Sequence, residues 1–120
     1  MIIVGFSCKT HMILARIFCM GFKHCAIIVP HKNKFILHQF VRCGNVAHIA
    51  ITTRGISQLG RCDWCFVYLK SPANMCFNPN ALTCVNYVKH ALGIKNFWIQ
   101  TPDALFRHIK KSDISSDFFI

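Results

Sequence analysis

Apolar residues along the chain fall into short blocks separated by polar turns, and the spacing inside each block predicts its structure. Residues 2–6 (IIVGF) form a short apolar run and predict a strand. Residues 11–20 (HMILARIFCM) predict a helix with Ile13, Ile17 and Met20 on one side. Residues 25–29 (CAIIV) are rich in branched side chains and predict a strand that stops at Pro30. The polar segment 30–34 reads as a turn, and 35–41 (FILHQFV) as the returning strand of a hairpin. Residues 46–52 alternate and predict another strand, 53–61 a loop or short helix, and 65–69 (CFVYL) a further strand. Residues 71–80, with Pro72, Pro79 and three Asn, read as a loop.

Two helices then follow. The first covers about 81–92, with Asn80 as N-cap and Gly93 as its stop. The second covers about 102–111, with Thr101 as cap, Pro102 in the first helical position and Asp103 in the first turn. The order of elements predicts an α+β fold: a small antiparallel sheet with helices packed on one face, in a single domain over 1–120.

Composition narrows the chemistry. Of 120 residues, 53 % are apolar and 15 % charged, which opposes disorder. Fourteen Lys and Arg stand against four acids, for a formal charge of +10, and there is no Glu. Few carboxylates remain for a two-carboxylate or hard-metal site. The basic excess suits contact with an anionic polymer or nucleic acid, although no run of basic residues reaches five. The N-terminus MIIVGFS lacks the features of a signal peptide, and the apolar stretch from Met12 to Val29 is interrupted by Arg16, Lys23 and His24. The expectation is a cytoplasmic, reducing setting, no transmembrane segment, and eight mostly free cysteines.

Cys84 lies within a turn of a helix start, where exposed amides and the helix dipole stabilise a thiolate. With Ala81, Val88 and Ala91 it forms a narrow stripe of small apolar residues suited to packing on a sheet. The alternative is an inert buried thiol, one of eight. His24 stands at a strand start and by alternation shares a face with Ala26 and Ile28, where small Ala26 leaves room for a helix; the alternative is a surface histidine. His38 and Gln39 lie on opposite faces of the return strand, and antiparallel pairing brings one of them beside His24. Cys62 and Cys65 form C-x-x-C, but no second pair has matching spacing, so no metal or cofactor is expected.

The order of these pieces resembles the circularly permuted NlpC/P60 branch of the papain-like thiol enzymes, in which the histidine precedes the cysteine. That branch includes bacterial and phage YiiX-like hydrolases and the lecithin:retinol acyltransferase group. IIVGFS at 2–7 is similar to the opening strand, and KHCAIIV at 23–29 to the histidine strand, with Lys23 for a small residue and Cys25 for valine. ILHQF at 36–40 resembles the strand bearing the third polar residue, here Gln39, where relatives often carry an acid or histidine. LTCVNYVKHALGI at 82–94 resembles the cysteine helix, and QTPDALFRHI at 100–109 the helix after it.

The resemblance implies a cysteine-dependent hydrolase or acyltransferase acting on an amide, peptide or ester bond. Cys84 would be the nucleophile, His24 the general base, and Gln39 the orienting residue, with His38 as alternative third member if the register shifts by one. The implied substrates are peptides, cell-wall components or acyl esters. Two rival readings stay open: an inactive member serving as a binding module, and a basic domain binding nucleic acid or another anionic polymer.

Overall fold

The computed structural model describes residues 1–8, 21–61, 64–70, 75–111 and 115–119. The helix expected over 11–20 and Cys62 of the C-x-x-C pair lie outside these residues. The elements are β1 (Ile2–Ser7), β2 (His24–His31), β3 (Lys34–Arg42), β4 (Asn45–Ile51), α1 (Thr53–Gly60), β5 (Trp64–Leu69), α2 (Cys84–Leu92), α3 (Pro102–Lys111) and β6 (Ser115–Phe119). The six strands form one sheet in the order β4-β3-β2-β1-β5-β6, with every pairing antiparallel. The fold is therefore a small α+β domain around an antiparallel sheet.

All six residues of β1 are buried, because the strand has β2 and β5 on its flanks and helices over both faces. Ile2, Val4 and Phe6 join Cys25, Ile27, Phe40 and Val67 beneath α2 and α3, which contribute Cys84, Val85, Val88, Ala91, Leu105 and Ile109. On the other face, Ile3 packs with Ala26, Ile28, Leu37 and Phe66 against Ile56 of α1. Each such apolar side chain stabilises the fold by roughly 1.5–3 kcal/mol when fully buried. The expectation of helices on one face holds for α2 and α3 but fails for α1. Its segment, TRGISQLG, carries only Ile56 and Leu59 as large apolar residues, too few to announce a covered second face.

Further differences from the expected elements follow. The hairpin strands run longer than expected, and the turn shrinks to Lys32–Asn33, with Lys32 at φ +55°. Pro30 is tolerated within β2 because the pairing with β1 ends at Ile28. α2 begins at Cys84 with Thr83 as its cap, not after Asn80: the Asn86 N–H donates to Thr83 Oγ1 at 3.1 Å. Asn80 instead belongs to a turn, where its N–H donates to Asn78 Oδ1 and its carbonyl accepts from the Cys43 thiol. The strand β6 had no counterpart among the expected elements.

α3 starts and stops where its sequence predicts, and Ala104 N–H donates to Thr101 Oγ1 at 3.2 Å. Asp103 also accepts the N–H of Phe22 at 3.0 Å. Phe22, Phe6 and Phe106 pack against one another in tilted and edge-on contacts, with centroids 5.0–5.4 Å apart. These contacts hold the backbone just ahead of β2, and so fix where His24 begins the strand.

Candidate active site

Cys84 is the first residue of α2 and is 7 % exposed. A helix opening leaves its first N–H groups without intrahelical acceptors. Thr83 takes up those of Asn86 and Tyr87. The N–H groups of Cys84 and Val85 are the ones that helix geometry leaves beside the thiol. The loop leading to this point is tied down by the Gly44 N–H donating to the Pro79 carbonyl at 2.8 Å.

His24 opens β2 opposite Ser7 of β1. It is 8 % exposed, which settles against a surface histidine. Its ring is hydrogen-bonded to Cys84, and its Nε2 lies 2.8 Å from Gln39 Nε2. Trp64 stands edge-on to it, with centroids 6.0 Å apart. Trp64 can lie there because Gly5 is beneath it: a Cβ at residue 5 would come within 2.9 Å of the indole.

The three residues expected from sequence thus meet, but not as simple alternation suggests. Gln39 lies on the Ala26 face of the sheet, whereas α2 packs on the opposite face, against Cys25 and Ile27. Ala26 does leave room for a helix, as expected, but that helix is α1 and not the one that carries Cys84. His24 joins the two layers because it is the first residue of its strand, at the end of the sheet. One side of the ring meets Gln39 and the other meets the opening of α2.

The electrostatics follow from these contacts. The Cys84 pKa falls from the ordinary 9.0 to about 5. The largest cause is a hydrogen bond from the Cys25 thiol; burial opposes the shift, and the His24 hydrogen bond and charge and the Cys25 backbone N–H add to it. For His24, burial is the largest influence and pulls the pKa down. The hydrogen bond and negative charge of Cys84, with the bond to Gln39, outweigh it and raise the value. Both shifts run in the direction that favours a thiolate beside an imidazolium. The Gln39 carboxamide suits either state of the ring. Its NH2 donates to a neutral Nε2, and turned by half a revolution its Oε1 accepts from a protonated one.

His38 is not the third member. It faces the α2 side of the sheet, 2.7 Å from the Tyr87 hydroxyl through Nδ1 and stacked on Phe77 at 4.4 Å. Burial and then the charge of His48 push its pKa down to about 4. The ring is therefore neutral at pH 7, and its Nδ1 shares a hydrogen bond with the Tyr87 hydroxyl. The register needed for His38 to reach His24 is excluded by the Ile27↔His38 pairing.

Two contributors escape a reading of the sequence as isolated motifs. Cys25 is fully buried and supplies the strongest influence on Cys84. Its signal was present: a residue next to His24 on a strand must face the other layer, where the cysteine helix lies. Trp64 carries no comparable signal, because its closeness to His24 depends on the β1–β5 register, in which Ser7 pairs with both His24 and Trp64.

No family model, curated protein or solved structure matches the chain. Among the described residues, no group of three or more His, Cys, Asp or Glu side chains is arranged to hold a metal ion. No described helix is long and apolar enough to cross a membrane.

Proposed function

We propose that the chain is a cysteine-dependent hydrolase or acyltransferase of the permuted NlpC/P60, papain-like kind. The observation that carries this reading is the hydrogen-bonded row Gln39–His24–Cys84, ending on a depressed thiol at a helix opening. Cys84 Sγ attacks the carbonyl carbon of an amide, peptide or ester. The N–H groups at the start of α2 receive the developing oxyanion. The imidazolium of His24 gives its proton to the departing nitrogen or oxygen and leaves a thioester on Cys84. His24 then takes a proton from water or an acceptor alcohol, which attacks the thioester and frees the thiolate. Gln39 holds the ring in the required orientation throughout.

Incubation with an activated aryl ester tests the proposal. The expected result is a stoichiometric burst of phenol, an acyl mass on the Cys84 peptide, and slower steady turnover. Cys84→Ser should abolish the adduct, and His24→Ala should prevent turnover. Acylation spread over the exposed Cys8, Cys43 and Cys76, with none on Cys84, would refute it.

A further inference from the structure

The three most exposed large apolar side chains among the described residues lie together, beside the opening of α2. Leu82 is 75 % exposed, Phe97 74 % and Trp98 84 %, whereas Met1, Val41 and Ile49 range from 48 % to 59 %. After α2 stops at Gly93, the chain turns back along the outside of the helix, so that Phe97 and Leu82 line one open depression of about 460 Å³. Ile94 adds to its apolar wall, and the exposed His90 and Lys95 border it.

The turn is built to hold this shape. Lys89, buried on α2, donates from Nζ to the carbonyls of Asn96 at 2.7 Å and Ile99 at 2.8 Å. Asn96 Oδ1 accepts the Trp98 N–H at 2.9 Å, and Ile99 is anchored in the core. The Phe97 and Trp98 rings meet edge to face at 5.8 Å. A buried cation and a buried Ile thus fix a turn whose tip keeps two aromatic rings in water. Covering such side chains is favourable, and folding leaves that gain unused here.

The chemistry around the patch selects its partner. Among the described residues, no acidic side chain lines the depression, and the whole chain carries fourteen basic residues against four acids. Aromatic rings projecting from a turn, with Lys95 beside them, match the boundary between anionic lipid headgroups and acyl chains, where Trp and Phe insert and Lys adds electrostatic attraction. We propose that Leu82, Phe97 and Trp98, with His90 and Lys95, form a docking surface for an anionic lipid bilayer. The proposal does not depend on the thiol chemistry. It implies that docking brings the start of α2, two residues beyond Leu82, to the membrane interface.

Sedimentation of the full chain with phosphatidylcholine vesicles, with and without phosphatidylglycerol, tests this. The chain should bind the vesicles containing phosphatidylglycerol, and binding should weaken as salt rises. Lys95→Gln should weaken it about fivefold, and the double variant Phe97→Ser/Trp98→Ser at least about tenfold. Tryptophan emission should shift to the blue on binding in the wild type and not in Trp98→Phe. A thermal melt and Cys84 alkylation, both expected to match the wild type, keep a folding defect and a failure of the thiol reading separate from this result. Absence of vesicle binding, or undiminished binding by the double variant, would overturn the proposal. So would salt-sensitive binding of single-stranded nucleic acid in place of vesicles, lost in the same variants, because the rings would then be a stacking platform for bases.

Discussion

Alkylation of Cys84 as a function of pH gives a direct reading of the proposed ion pair. With a pKa of about 5 in place of 9.0, Cys84 is about 90 % thiolate at pH 6, against about 0.1 % for an ordinary thiol. A thiolate of lower basicity is also a weaker nucleophile, by about 40–100-fold for a pKa lower by about four units. For equal access, Cys84 should therefore react about 10–20-fold faster than an ordinary thiol at pH 6, and more slowly at pH 8. Burial of the thiol scales the absolute rate but not the shape of the profile. Between pH 6 and 8 the Cys84 rate should change less than about twofold, while that of an ordinary thiol rises about 100-fold. The assay is pulsed iodoacetamide labelling read by peptide mass spectrometry, with the same peptide in urea-unfolded protein as reference. His24→Ala removes one hydrogen bond and the positive charge, so the midpoint should rise by about 1–3 units. A Cys84 profile in the folded protein that climbs like the unfolded reference would refute the ion pair. So would a midpoint that His24→Ala leaves in place.

The other predictions concern the neighbours of this pair. His24→Ala should lower any turnover by about 10²–10⁴-fold, Gln39→Ala by less, and His38→Ala should leave Cys84 labelling unchanged; an effect of His38→Ala equal to that of His24→Ala would contradict the geometry. Tyr87→Phe leaves the buried His38 Nδ1 without its hydrogen-bond partner and should cost about 1–3 kcal/mol in urea unfolding, with no change in the Cys84 midpoint. Stability should fall from pH 6.5 to 5. The Cys84 contribution is present above 9.0 and is lost as pH falls toward 5. That of His24 is complete below 6.5 and is lost as pH rises through its raised value, so the two slopes cancel just above 6.5. Below 6.5 only the Cys84 slope remains, about 1.4 kcal/mol per pH unit, and His38, with its lowered pKa, adds loss in the same direction. Cys84→Ser should make this fall shallower, and an unchanged slope would count against a thiolate in the native state.

Much of the architecture was legible in local pattern. Apolar runs at 2–6, 25–29 and 65–69, rich in branched or aromatic side chains, form strands because these suit a pleated, buried surface. The Thr101–Pro102–Asp103 start of α3 is read directly, since capping involves only adjacent residues. Cys84 and His24 were legible as candidates, the one from its place at a helix start and the other from its place at a strand start. The choice between Gln39 and His38 was not, because a strand offers both faces equally until register is set, and register comes from the β2–β3 pairing across the hairpin. The covering of the second face by α1 was also decided only in three dimensions, where Ile56 joins one buried cluster with residues from four strands. The same holds for the acidity of Cys84. Sequence supplied the helix dipole, a modest influence, while the larger ones come from Cys25 and His24 on a strand that is remote along the chain. Hydrogen bonds and burial act over a few ångströms, and only the packing of α2 on β2 brings those groups within that range.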